Sequence, residues 1–105
     1  MSERVSIQFE YEDERSVVLF SHWGGIELVR TAIRYARELE AEVGNKSSSP
    51  LDRLEPSTVL VDFIRHITRN LARVSSHYYL GATSESGDNS DTGHHIITLV
   101  KTASR

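Results

Sequence analysis

The sequence of 105 residues contains no cysteine, two prolines and one tryptophan. The absence of cysteine excludes disulfides, a thiolate nucleophile and metal sites with cysteine ligands. No apolar run approaches the length that a membrane span requires, and the polar, acidic N-terminal segment does not resemble a signal peptide. We therefore expect a cytoplasmic protein that has no membrane partner.

The chain also lacks an excess of positive charge. Its formal net charge is −3, from 12 Lys and Arg against 15 Asp and Glu, which argues against general electrostatic binding to nucleic acid. The hydrophobic content of 38% and the charged content of 26% are ordinary for a globular protein. A chain of this length is expected to form a single domain with one core.

Two strands and then two helices are predicted along the first three quarters of the chain. Apolar residues alternate with polar ones over residues 5–11, which predicts a strand with one buried face, and the apolar residues 17–20 predict a more central strand that completes a hairpin. Residues 26–43 have helical periodicity with an apolar half-circle. Pro56 suits the first turn of a second helix, whose apolar stripe extends to Val74.

Two more strands are predicted near the C-terminus, in the segments "HYYLGAT" and "IITLVKT", with the polar segment "SESGDNSDTG" between them. The order is therefore β-β-α-α-β-β. Segregated strands and helices favour an α+β fold in which two helices cover one face of a mostly antiparallel, four-stranded sheet.

A corner of small and aromatic residues connects the second strand to the first helix. Its members are Ser21, His22, Trp23, Gly24 and Gly25. Free N–H groups at a helix start can bind an anion such as a phosphate or a carboxylate. The alternative is a packing corner, with Trp23 in the core and Glu27 supplying negative charge to the first helical turn. We favour the packing corner, because two glycines and one tryptophan form a weak phosphate motif.

The segment "GDNSDTGHH" before the last strand is a second candidate site. Its candidate metal ligands are Asp88, Asp91 and one of His94 or His95, with His22 from the corner. Oxygen and nitrogen ligands of this kind suit zinc, manganese or iron, but Asp, Asn, Ser and Gly are equally the common turn formers. Because the spacing is loose, we predict no metal site and leave the cofactor unknown.

The second predicted helix has a basic ridge. Arg65, Arg69 and Arg73 lie along it, and His66 lies beside it. Such a ridge can contact phosphates, whereas the alternative is a solvated helix face. We favour the solvated face, because Asp62 shares the ridge and no aromatic platform accompanies it.

The chain resembles a group of small uncharacterised proteins of phages and prokaryotes. The resemblance rests on the strand that ends in "SHWGG" and leads into a helix, on Glu55-Pro56-Ser57 opening a second helix, and on Asp88 and Asn89 before an apolar strand. The loop after Asn89 departs from the group by the insertion of "SDTGHH". The resemblance implies a shared fold and a shared site at the corner and the loop, but no reaction.

Two functions are predicted. The first is a non-enzymatic binding or accessory protein that uses the corner, residues 21–25, together with Asp88 and Asn89 to bind an unknown protein or a small anionic ligand. The alternative is a small metal-assisted hydrolase that uses His22, Asp88 and one of His94 or His95. The first function requires the corner and the loop to meet at one end of the sheet.

A homodimer is also expected. The apolar half-circle of the first helix is wider than the stripe that a small two-layer domain usually covers. The uncovered part would favour self-association, with Tyr35 or Leu39 near the interface.

Overall fold

The computed structural model describes residues 3–45, 55–73 and 77–100. Its elements are β1 (Val5–Tyr11), β2 (Glu14–Arg15), β3 (Val18–Ser21), α1 (Gly25–Asn45), α2 (Pro56–Thr68), β4 (Tyr78–Gly81) and β5 (Gly93–Thr98). The predicted α+β class is confirmed, and so is the order of strands and helices, apart from the two-residue strand β2. No helix within these ranges combines the length and the apolarity of a membrane span.

The sheet is centred on β1. The strand β3 pairs with it in antiparallel orientation, β4 pairs with β3 in the same way, and β2 extends the β1 hairpin. The strand β5 pairs with the other edge of β1 and runs parallel to it. The sheet is therefore mostly antiparallel, as predicted, with one parallel pair that the sequence analysis did not anticipate.

Both helices pack on one face of this sheet, where they form the core with alternate residues of β1. α2 contacts β1 and β2, whereas α1 contacts β1 and β5. Val5, Ile7 and Phe9 project into this core, and Phe63 of α2 meets Phe9 edge to face, with the ring centroids 5.5 Å apart. The period of two in β1 thus produces the expected helix-facing side.

The second face of β1 is buried as well, contrary to the predicted single buried face. Ser6 and Gln8 are 0% and 8% exposed. They are covered because β4 and β5 lie at opposite edges of the sheet, so that the connection between them passes over this face. Hydrogen bonds that join Ser6 to Asn89 and to His94 hold the connection against it.

The buried stripe of α1 is narrower than its apolar half-circle. Leu28 and Ala32 are buried, whereas Ile26 and Ile33 are 44% and 42% exposed. Glu40 of α1 is also buried, and its carboxylate accepts hydrogen bonds from Arg37 and from the backbone N–H of Val100.

The exposed isoleucines leave apolar surface on α1, which a second copy of the chain would cover. The homodimer therefore stays a prediction. Tyr35 and Leu39 are only partly buried against the core. Light scattering at micromolar concentration is expected to give about twice the mass of one chain. The mass of a single chain would contradict the dimer.

α2 begins at Pro56 as predicted but ends at Thr68, before the end of the predicted stripe. The Thr68 hydroxyl donates to the backbone carbonyl of Ile64 (2.5 Å), and the chain then turns, with the N–H of Leu71 donating to the carbonyl of Thr68. Arg73 therefore lies beyond the helix, and the predicted ridge of three arginines is not continuous. Val74 lies outside the described residues.

β5 begins earlier than predicted, at Gly93, so that His94 and His95 belong to the strand and not to the loop. The cause is the long parallel pairing with β1, which places Gly93 opposite Val5 and Thr98 opposite Glu10. The last strand is thus extended towards the acidic loop.

Candidate functional site: the corner and the acidic loop

Four strand ends meet at one end of the sheet and bring the two predicted stretches together. Val5 at the start of β1 lies opposite Ser21 at the end of β3, and Tyr78 at the start of β4 lies opposite Ser21 on its other side. Gly93 at the start of β5 lies opposite Val5. The corner follows β3 and the loop precedes β5, so both leave the sheet at this end. We call residues 21–25 with Asp88 and Asn89 the corner–loop surface.

The corner is a hydrogen-bonded turn that begins α1. The Ser21 hydroxyl oxygen accepts the backbone N–H groups of Trp23 (3.3 Å) and Gly24 (3.0 Å), and the Gly24 carbonyl accepts the N–H of Leu28. Gly24 has no room for a side chain, because a Cβ there would lie 2.7 Å from Cβ of Leu28. Gly25 has a φ of 54°, which favours glycine. Both glycines are thus required by local geometry.

The start of α1 already has a carboxylate beside it. Gly25 donates its N–H to the carbonyl of Glu3, and a methyl group on Gly25 would overlap the Glu3 carboxylate. Glu27 lies in the first turn, as the packing interpretation predicted, and it pairs with Arg30 at 2.9 Å. The N–H of Gly25 is therefore satisfied by a backbone carbonyl and Glu27 supplies negative charge to the first turn, which favours the packing corner.

Trp23 does not lie in the core, contrary to the packing interpretation. It is 54% exposed, and its ring centroid is 6.4 Å from that of His22. The reason is the turn itself, because the Ser21 hydroxyl fixes the backbone of Trp23 and Gly24 outside the sheet.

The acidic loop is attached to the start of β1 by an arginine. Arg4 donates its backbone N–H and its Nε to Asp91 Oδ2 (2.9 and 3.0 Å), and its Nη1 reaches Asp88 Oδ2 at 2.5 Å. The backbone N–H of Ser90, with Arg4 as a further cause, lowers the pKa of Asp88 below its usual range. Asp88 is thus charged at neutral pH, and both aspartates hold the loop to Arg4.

Tyr79 of β4 connects the corner with the loop, a role that the sequence analysis missed. Its hydroxyl oxygen accepts the backbone N–H of Asp88 (2.9 Å), and its ring centroid lies 5.2 Å from that of His22. The ring also stacks on Phe20 at 4.9 Å. His22 and Asp88 therefore lie on the same side of the molecule. The sequence signal for this role was the tyrosine pair "YY". Adjacent residues of a strand point to opposite faces, so only one of the two tyrosines can face the loop.

A directional chain of hydrogen bonds runs beneath the loop. The Asn89 amide donates to Ser6 Oγ (2.8 Å), which lies 2.7 Å from His94 Nδ1, and His94 Nε2 lies 3.0 Å from the Gln8 side-chain oxygen. Gln8 then donates to the Ser16 carbonyl. Because the Gln8 oxygen only accepts, His94 donates from Nε2. Burial lowers the pKa of His94, so we assign it as neutral, with Nδ1 accepting the Ser6 hydroxyl. Ser6 is fully buried and cannot meet a substrate.

This arrangement predicts that stability falls in mild acid. Burial, and then the positive charges of His95 and Arg15, lower the pKa of His94, whereas an unfolded histidine titrates near pH ~6.5. The contribution of neutral His94 is therefore complete above about pH 6.5 and is lost as the pH falls below it towards the folded pKa. Urea unfolding of wild type and His94→Gln over this range should show a steeper loss in the wild type. Parallel curves would contradict the assignment.

The amide of Asn89 is expected to hold the loop in place. It donates to Ser6 Oγ and also to the Ser84 carbonyl at 3.1 Å. Asn89→Ala should lower the free energy of unfolding by about 1–2 kcal/mol, because buried acceptors lose their donor. Glu85→Ala, at an exposed position of the same loop, is the control and should change it by less than about 0.5 kcal/mol. Equal effects in urea titrations would contradict the role of Asn89.

The residues of the predicted hydrolase do not form a metal-binding group. Among residues 3–45, 55–73 and 77–100 there is no set of three or more His, Asp or Glu that could hold a metal ion. Asp88 is paired with Arg4, His94 is bound to Ser6 and Gln8, and the ring of His95 meets the Thr92 carbonyl at 3.1 Å. The two adjacent histidines thus have separate partners.

Comparisons with known proteins give no further guide to the chemistry of this surface. No family model matches the chain, and neither a curated protein nor a solved structure matches it.

Proposed function

We propose that the chain is a non-enzymatic binding or accessory protein whose corner–loop surface binds a basic segment of a partner protein. The observation that carries this proposal is the position of Tyr79, which contacts His22 of the corner and Asp88 of the loop. Two stretches that are distant in sequence thereby share one surface, whose backbone is fixed by hydrogen bonds. A preformed surface of this kind binds with a small ordering cost.

The charges of the surface support a basic partner. Two carboxylates, those of Asp88 and Asp91, pair with one cation, Arg4, and the carboxylate of Glu3 lies beside Gly25 of the corner. The side chains of Asp88 and Asp91 are 44% and 35% exposed, so both are accessible to a partner. Complementary charge increases the association rate and selects against acidic partners. A small anionic ligand, the other partner predicted from the sequence, finds less support here.

Aromatic residues supply the apolar part of the surface. Trp23 is 54% exposed and lies beside His22. Tryptophan is enriched among the residues that dominate binding energy at protein interfaces, because it buries a large area and loses little conformational entropy. Trp23 is therefore the expected centre of the contact.

The test uses Trp23, the single tryptophan of the chain, as a reporter. A partner isolated from the source cells and then purified should shift the emission of Trp23 to the blue, and its affinity should fall with salt. Trp23→Ala should weaken binding by about 30-fold or more. The control is Val61→Ala on α2, an apolar residue 65% exposed, which should leave the affinity unchanged. Equal binding by both variants would contradict the proposal.

The alternative of a metal-assisted hydrolase stays a prediction from the sequence. It requires zinc or manganese to bind and to raise the melting temperature. That increase, together with its loss in His22→Ala, would favour the hydrolase over the binding protein.

A further inference from the structure

The groove between α1 and α2 is lined by arginines and apolar side chains, whereas the corner–loop surface is acidic. It has a volume of about 420 Å³, with apolar walls of Leu28, Ile67 and Tyr78 and with Arg34, His66 and Arg69 around them. An adjoining hollow of about 500 Å³ shares His66 and Arg69 and adds Tyr35, Asp62 and Arg65. Volumes of this order are typical of sites for small organic ligands.

Positive charge is concentrated here in a chain whose net charge is −3. Arg34 and Arg65 make no ion pair with any residue that the structure describes. Arg69 donates from Nη1 to the carbonyl of His66, which positions it beside the groove.

The acidic side chains around the groove do not neutralise the positive charge of these arginines. Glu27 is paired with Arg30 at 2.9 Å, which leaves Asp62 as the acid in the adjoining hollow. Guanidinium groups bind phosphate with paired N–H donors, so several arginines around one groove favour a phosphate-bearing ligand.

An aromatic platform lies beside the arginines. It could not be recognised from the sequence, because its two rings come from different helices. The ring of His66 lies 5.4 Å from that of Tyr35, at 31°, and Tyr35 rests on Phe63 of the core at 5.3 Å. His66 is exposed, so the face of its ring away from Tyr35 can stack on a base. Stacking on an aromatic or imidazole ring is a common means of binding unpaired bases.

We infer that this groove binds a nucleotide, free or within a single strand. Arg34, Arg65 and Arg69 hold the phosphate, and the base stacks on His66. The site lies on the helical layer and shares Gly24 with the corner–loop surface, but it takes a different ligand from the one proposed there. The net charge argues against general binding to nucleic acid, but a local site needs only local charge.

Three probes test the inference on the full chain: adenosine monophosphate, a labelled single strand of about eight nucleotides, and inorganic phosphate. Binding is measured by NMR titration and by fluorescence anisotropy at several salt concentrations. In the double variant Arg34→Gln/Arg65→Gln, affinity should fall by about tenfold or more and the salt dependence should weaken by about one unit of slope. The control Arg15→Gln removes an exposed arginine of β2 that pairs with Glu10 and does not line the groove, and it should bind like the wild type.

The probes separate the two sources of a nucleotide. Binding of the monophosphate assigns the groove to a free nucleotide, and binding of the strand alone assigns it to a polymer. His66→Ala should weaken both but leave inorganic phosphate unaffected. The inference is overturned by an absence of binding at about 1 mM monophosphate together with an absence of strand binding. Equal loss in the Arg15→Gln control, or phosphate binding as tight as that of the monophosphate, also overturns it.

Discussion

Phe63→Ala should lower the free energy of unfolding by about 3–5 kcal/mol, as is typical of a fully buried phenylalanine. Phe63 is 0% exposed, and its ring lies between Phe9 of the sheet and Tyr35 of α1, at 5.5 and 5.3 Å. Its removal leaves a cavity where three elements meet. Since domains of this size are stable by about 5–15 kcal/mol, the variant should unfold at a much lower urea concentration.

The matched control is Val61→Ala on the same helix. Val61 is 65% exposed, and its truncation should change stability by less than about 0.5 kcal/mol. Urea unfolding followed by circular dichroism gives both values. A loss below about 1 kcal/mol for Phe63→Ala would show that α2 does not pack on the sheet through this residue.

The second large effect is expected at Gly87, in the loop over the second face of the sheet. A Cβ on Gly87 would lie 2.6 Å from Cε2 and from the hydroxyl oxygen of Tyr79, and 2.9 Å from Phe20. The ring of Tyr79 cannot move away, because it is stacked on Phe20 at an angle of 5°. Gly87→Ala should therefore cost about 1–3 kcal/mol, the usual cost of overpacking.

A double-mutant cycle with Tyr79→Leu isolates the cause. If the clash with the ring is responsible, Gly87→Ala should cost much less in the Tyr79→Leu background than in the wild type. Additive effects would mean that the loss arises from the backbone of the loop. The NMR signals of Asp88 and His22 should shift in Gly87→Ala, since both residues contact Tyr79.

Much of the fold is predictable because its pattern is local. The period of two in β1 and the apolar stripe around Phe63 identify the buried sides, and Pro56 marks the start of α2. The pairing of β5 is different. Its partner lies 88 residues away for the pair Ser6 and His94, and the sequence of a short strand does not distinguish parallel from antiparallel neighbours.

The candidate site is predictable in position but not in its contacts. Placing the corner and the loop together required only that both adjoin strand ends. The role of Tyr79 depends on which side of β4 faces the loop, and the burial of Ser6 and Gln8 depends on a connection that crosses the sheet. Polar side chains such as those of Ser6 and Gln8 are expected to be exposed. They are buried here because a loop rich in turn-forming residues lies over them, and the sequence of β1 does not indicate that loop.

The parallel pairing of β1 with β5 determines how the chain behaves during synthesis. β1 can form its hairpin with β3 soon after it leaves the ribosome, but its other edge stays unpaired until β5 follows, because the pair joins residues 88 positions apart. Such long-range pairings form late and slow the folding of a domain. Until then β1 presents an open edge and the apolar side chains of Val5, Ile7 and Phe9. An unpaired strand edge beside exposed apolar side chains is the kind of surface on which aggregation starts and which chaperones cover.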